Sequence, residues 1–258
     1  MFLWINQQGT SPETAALLSN QNFRQALNYG FDRSATVNAV NPGYKAYNRL
    51  VDSNFAGPGG GKFVDEYPVE TAPLSGDVDQ AKEYLAAAME ELGYSDVSQL
   101  PQLELITWDT SEQKLLLKTI IDQWKQNLGL ENIQLTQYVI GTAIGSFYDL
   151  SYDLFSITWE TDVLPTDIME AMVTGGEVNY GIWSDAQFDA LVEQAINELD
   201  PDKQAELTAQ AEQIFLDNEA ILPLYENGVT GAVQSYVEGF QMSATSSGYQ
   251  FNNLVVHK

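Results

Sequence analysis

Leu103-Glu104-Leu105-Ile106-Thr107-Trp108-Asp109-Thr110-Ser111-Glu112-Gln113 is the stretch on which the fold turns. Leu103, Leu105 and Thr107 alternate with polar or intermediate side chains, the period of a strand, and the alternation stops near Trp108. Thr110 to Gln113 has capping-box spacing, and Leu117, Ile120, Ile121, Trp124 and Leu128 follow at helical spacing as far as Gly129. Ile133, Leu135 and Gln137 read as the next strand. A strand, a helix and a strand in direct succession place the chain in the mixed α/β class.

The alternation of elements extends in both directions. Upstream, Asp77 opens a helix whose inner face is Ala81, Tyr84, Leu85, Ala88 and Leu92, with Gly93 as its stop. Residues 1–6 read as a short strand, followed by a polar loop through Gly9 and Pro12. Ser19-Asn20 precede a helical face of Phe23, Ala26 and Leu27, and Asp32 N-caps a second short helix ending near Asn41-Pro42-Gly43. Between Val51 and Gly76, Gly57-Pro58-Gly59-Gly60-Gly61, Pro68 and Pro73 predict a long surface loop without stable elements. Downstream, residues 153–159 read as a strand and Ile168 to Val173 as a short helix. Ser184-Asp185-Ala186-Gln187 has capping-box spacing ahead of an apolar face of Phe188, Leu191, Val192, Ala195, Ile196 and Leu199. Pro201 opens a partner helix through Leu207, Ala211, Ile214 and Phe215. From Ile221 the sequence is strand-like, with turns at Asn227-Gly228, Glu238-Gly239 and Ser247-Gly248.

Composition removes several functions. The 258 residues carry 36 Asp and Glu against 11 Lys and Arg, a formal charge of -25. Such a surface repels nucleic-acid backbones and anionic membranes alike, so nucleic acid is not expected as a partner. With no Cys, disulfides, thiolate nucleophiles and Cys-ligated zinc are excluded, and the single His257 excludes His triads and multi-His metal sites. No cofactor or metal is expected. No apolar run approaches the roughly 18 residues of a membrane span, and no signal peptide is visible at the start.

Few motifs carry chemistry. Gly57 to Lys62 resembles a phosphate loop, but its glycine spacing is one short, Phe63 stands where Ser or Thr is needed, and no helix is expected directly after it. Asp65-Glu66 and Asp149 with Asp153 read as solvated acids in so acidic a chain. Glu160-Thr161-Asp162 differs by position, following the strand that ends in Trp159. Ligands of α/β sheets gather at the carboxyl ends of strands, and an aromatic ring beside a carboxylate suits a cationic amine. On physical grounds Trp159 reads equally as a core aromatic or as a ligand contact.

Asn20-Gln21-Asn22-Phe23-Arg24-Gln25-Ala26-Leu27, running on to Asp32-Arg33, resembles a signature of the peptide-binding proteins of ABC importers, in the oligopeptide branch of the extracellular solute-binding proteins. Ile5-Asn6-Gln7-Gln8, Ala81 to Tyr94, Trp124 to Gly129, Tyr152-Asp153 with Trp159 to Asp162, Ala211-Glu212-Gln213-Ile214 and Ile221 to Tyr225 match the same family in the same order. The resemblance covers the whole chain but only the carboxyl-terminal half of such a receptor. It implies a periplasmic-binding-protein-like type II lobe, a mixed sheet flanked by helices. Residues 1–225 would form the substrate-binding lobe, and residues 226–258 strands that return to an N-terminal lobe outside this chain. The implied function is capture of extracellular oligopeptides, without catalysis, for ABC permease subunits. A lipidated segment upstream or the periplasm would retain the receptor at the cell.

The resemblance also places a site. Asp162 would pair with the α-amino group of a bound peptide, Trp159 would line a side-chain pocket, and the backbone around Thr158 and Glu160 would pair with an extended peptide. Arg24 and Arg33 are expected to be ion-paired within the lobe. Between Tyr148 and Thr158 there is no basic residue, and Ser156 stands where an arginine would grip a peptide carboxylate, so a grip of fixed length is not expected. Two other readings stay open: a receptor of the same family for a non-peptide ligand such as a nickel complex, and an acidic secreted hydrolase using a carboxylate pair.

Overall fold

The computed structural model describes residues 1–158, 164–226, 233–242, 249–250 and 253–257. Its first half runs β1 (Phe2–Ile5), α1 (Pro12–Ser19), α2 (Gln21–Tyr29), α3 (Arg33–Val40), β2 (Lys45–Ala46), α4 (Phe63–Glu66) and α5 (Val78–Leu92). Next come β3 (Leu103–Trp108), α6 (Ser111–Leu128), β4 (Ile133–Tyr138), α7 (Ile140–Tyr148) and β5 (Leu154–Ile157). The chain continues through α8 (Asp167–Ala171), α9 (Ala186–Asn197), α10 (Pro201–Asp217), β6 (Ile221–Pro223) and β7 (Tyr225–Glu226). Short strands β8 (Val237–Glu238) and β11 (Val255–Val256) pair with each other, as do β9 (Gln241–Met242) and β10 (Tyr249–Gln250).

The central sheet has the order β4-β3-β5-β1-β6. β3 is parallel to β4 and β5, while β1 is antiparallel to both β5 and β6. The sheet is therefore mixed, and β3, β4, β5 and β6 all point the same way. Strand β1 shows why it sits inside. Leu3 and Ile5 enter one apolar core with residues of α2, α5 and α6, and Phe2 and Trp4 enter a second with residues of α7, α9 and α10. All four side chains are buried, so each face must be covered by helices, and burial of each contributes about 1.5–3 kcal/mol. The result is helices on both faces of a mixed sheet.

The sequence motifs prove to be the joints of this architecture. Asn20 caps α2 by accepting from the Phe23 N–H at 2.9 Å, and Asp32 caps α3 at Ala35. Asn6, fully buried, donates to the carbonyls of Leu150 and Tyr152 at 3.0 and 2.8 Å. Trp124 donates its indole N–H to Leu27 O at 2.8 Å, tying α6 to α2. Asp153 accepts from Thr10 and from the Glu104 N–H, so this acid is a buried staple and not a solvated one. Arg24 and Arg33 are buried as expected, but among the described residues carbonyl oxygens hold them and no ion pair does. Arg24 donates to Leu18 O and Asn218 O, and Arg33 to Asn28 O and Pro223 O, at 2.9–3.0 Å.

Other expectations are corrected. The predicted loop through Pro12 contains α1, because Ser11 and Thr14 form a capping box, Pro12 fits the first turn, and Leu17 and Leu18 are buried. Helix α7 follows β4 where no helix was expected. The Val51–Gly76 segment is less loop-like than its glycines imply: α4 starts directly after Lys62, and Val51, Phe63 and Ala72 are buried. The glycine loop's N–H groups at Gly59 and Gly61 donate to Glu66 at 2.9 and 2.6 Å, so a side chain of this chain fills the position a phosphate would take. At α9 the cap is Asp185, not Ser184, whose hydroxyl lies 2.9 Å from that of Thr174. The apolar face of α9 ends at Ala195, since Ile196 and Leu199 are 42% and 94% exposed.

Candidate functional site

The carboxyl edge of the parallel strands is where this fold offers a ligand surface. β3 and β4 end in register, Trp108 opposite Tyr138, and β5 ends at Ile157. The Asp109 N–H donates to Tyr138 O at 2.8 Å, which holds the two strand ends together. Helix α6 opens on the same edge, capped by Thr110, whose hydroxyl accepts from the Gln113 N–H at 3.2 Å. Beyond β4 the backbone turns at once into α7, leaving Val139 and Ile140 70% and 66% exposed. Trp108 and Tyr138 are half-buried. A half-buried pair of aromatic rings beside two exposed aliphatic side chains is an apolar rim at the end of a polar backbone ladder.

Polar groups stand behind this rim. Gln113 is buried and turns inward, its Oε1 accepting from Ser156 Oγ at 3.3 Å instead of closing the capping box predicted at Thr110. Ser156 is fully buried and also 3.4 Å from Met1 Sδ, so the position where an arginine would grip a carboxylate points into the sheet core. Tyr44 stacks on Tyr225 with centroids 4.5 Å apart and donates its hydroxyl to Glu112 at 2.7 Å. That hydrogen bond to a carboxylate, then partial burial, raises the Tyr44 phenol above its ordinary range, and burial also raises Tyr225. Both phenols stay neutral at physiological pH.

Of the four predicted site residues, Thr158 lies at this edge, half-buried, with its hydroxyl 3.9 Å from Met1 Sδ. Trp159, Glu160 and Asp162 lie outside the described residues. Sequence reasoning missed the Val139-Ile140 rim and the inward turn of Gln113. The first had a signal, an apolar run continuing past the last alternating residue of a strand. The second had none, because a capping-box glutamine and a buried one look alike in sequence. Among the described residues no three His, Asp or Glu side chains converge to hold a metal ion, and no helix is long and apolar enough to cross a membrane.

Residues 1–180 match the family model "Bacterial extracellular solute-binding proteins, family 5 Middle". The chain is 28% identical to the oligopeptide-binding protein OppA of Bacillus subtilis over 239 residues, 90% of this chain and 42% of that protein. It is 28% identical over 176 residues to a probable deoxycholate-binding periplasmic protein of Escherichia coli, covering 66% of this chain and 31% of that one. The substrate-binding domain of an oligopeptide ABC transporter from Bacillus anthracis superposes with a TM-score of 0.83 at 22% identity, over 100% of this chain and 49% of that one. The chain thus spans about half the length of these relatives or less, and its fold is periplasmic-binding-protein-like. With joints, sheet and family model in agreement, the chain belongs to the bacterial extracellular solute-binding proteins of family 5.

Proposed function

We propose that this chain is the carboxyl-terminal lobe of a receptor that captures extracellular oligopeptides and delivers them to ABC permease subunits, without catalysis. Residues 1–225 form the ligand-binding lobe, and residues 226–258 return to an N-terminal lobe that supplies the other wall of the cleft. The observation that carries this reading is the carboxyl edge, where parallel strands end in an exposed apolar rim and β5 runs on into Thr158-Trp159-Glu160-Thr161-Asp162. An extended peptide adds its N–H and C=O row to backbone groups at Thr158 and Glu160, its side chains meet Trp159, and its α-ammonium meets Asp162. Main-chain recognition accepts many sequences, because every peptide presents the same row. With Ser156 buried in place of a basic side chain, the peptide's carboxyl end is not gripped there, and peptide length is left open. The receptor works outside the cytoplasmic membrane, in the periplasm or held at the surface by a lipidated upstream segment.

A second reading, a non-peptide ligand, is favoured by the relative described as deoxycholate-binding. Native mass spectrometry of the full-length receptor purified from cells separates the two. Co-purified masses that fragment as peptides are expected. A steroid, sugar or metal chelate in their place would overturn the peptide reading.

A further inference from the structure

A cleft of about 250 Å³ lies along the outer edge of β6. Asn28, Tyr29, Glu70, Tyr84, Asp217 and Glu219 are among the residues that line it. β6 and β5 point the same way, so Glu219, just ahead of β6, lies at the opposite end of the sheet from Thr158. The cleft is therefore separate from the carboxyl edge.

Glu219 sets its chemistry. The residue is 3% exposed and holds a φ of 45°, in the left-handed region that favours glycine, where the chain leaves α10. Its Oε1 is 3.5 Å from Asn28 Nδ2, and its Oε2 has no hydrogen-bond partner among the described residues. Arg24 and Arg33 act on it electrostatically, yet their hydrogen bonds go to carbonyl and amide oxygens. A buried carboxyl oxygen left without a donor is costly, and a ligand N–H relieves it. Glu70, Asp217 and the carboxyl end of α10 add negative potential at the same wall. Tyr29 and Tyr84 supply aromatic surface, their rings edge to face with centroids 5.4 Å apart. Carboxylates beside aromatic rings attract organic cations and repel anions.

We propose that this cleft binds a small organic ammonium, a shift of the Glu219 side chain bringing the now solvent-sealed Oε2 to its N–H groups and its alkyl part resting on Tyr29 and Tyr84. Binding requires Glu219 in its ionised form. Burial raises its pKa to about 8; the Asn28 hydrogen bond, Arg24 and Arg33 oppose the rise, and Asp217 adds to it. Tyr29 and Tyr84 are themselves raised by burial and stay neutral over this range. Below pH 8 the ammonium displaces a proton from Glu219, so binding strengthens as pH rises and then levels off.

The test is calorimetric titration with ethylammonium chloride at constant ionic strength, in buffers of differing ionisation enthalpy. It is made on the full-length receptor carrying Asp162→Asn, so that the proposed peptide-amine site does not contribute. One saturable site is expected, with release of most of a proton at pH 7 and affinity rising about tenfold from pH 6 to pH 7. Acetamide, neutral and of similar size, is expected not to compete, and Glu219→Gln to abolish both binding and proton release. No saturable binding, binding without proton release, or equal binding of acetamide would overturn the assignment. Proton release does not depend on whether Glu219→Gln folds.

Discussion

Glu212, inside α10, and Glu219, just past its end, are both buried, at 0% and 3% exposure, but different groups meet their oxygens. Glu212 accepts from Arg49 and from the backbone N–H groups of Leu50 and Val51 at 2.9 and 3.0 Å. Arg49 in turn donates to Val64 O and Tyr67 O, so the pair fastens the glycine-rich segment to α10. Among the described residues Glu219 has one long hydrogen bond, and its other oxygen has no partner. Burial alone therefore does not say what a carboxylate does. A satisfied one holds the fold, and an unsatisfied one carries the cost of a missing hydrogen bond.

The largest expected effect breaks the satisfied member. Glu212→Ala leaves Arg49 buried without its counter-charge and is expected to cost about 3–5 kcal/mol in chemical denaturation. Glu212→Gln is expected to cost less, because its amide oxygen still accepts from Leu50 and Val51. An alanine variant within about 0.5 kcal/mol of the parent would place the pair among the ornamental surface bridges and erase the contrast.

Glu219→Gln acts in the other direction. The folded-state pKa of Glu219, about 8, stands above its unfolded value, so its contribution to stability is full below the ordinary glutamate range and is lost as pH rises through about 8. Wild-type stability is expected to fall between about pH 5 and pH 8, by at most roughly 1.4 kcal/mol per pH unit from this group. Glu219→Gln removes that slope and is more stable at pH 8. A difference between the two proteins that does not change with pH would show the carboxyl ionised throughout. The smallest stability effect belongs to the rim. Val139→Ser with Ile140→Ser is expected to change stability by no more than about 0.5 kcal/mol, while weakening peptide binding to the full-length receptor severalfold. Unchanged peptide affinity would remove the rim from the site.

Much of this architecture is legible in the sequence because it rests on local signals. The caps at Asn20, Asp32, Asp77 and Thr110, the stops at Gly93 and Gly129, and the alternation in β3 and β4 are all properties of a few neighbouring residues. Where local signals conflict, the reading fails. Helix α7 is Ile140-Gly141-Thr142-Ala143-Ile144-Gly145-Ser146-Phe147-Tyr148, whose glycines and β-branched residues disfavour a helix. Ala143 and Phe147, both fully buried, fix it by tertiary packing. The Glu212–Arg49 pair spans 163 residues, and no short-range pattern announces it. The family signature is likewise more a record of joints than of the ligand site, since Asn6, Asn20, Arg24, Arg33, Trp124 and Glu212 all serve the fold. Of the proposed site, the carboxyl end of β5 was legible because strand ends in α/β sheets have a known use, whereas the rim depended on a helix that propensity hides.

The two glutamates frame the proposed role of Asp162, an acid whose counter-charge is to come from the ligand. The most direct test is a thermodynamic cycle on the full-length receptor. One peptide is titrated with its amine free and N-acetylated, against wild type and Asp162→Asn. The account predicts that acetylation and substitution each weaken wild-type binding at least tenfold, about 1.4 kcal/mol, and that together they cost little more than either alone. Equal affinity for the free and acetylated peptides in wild type would contradict it.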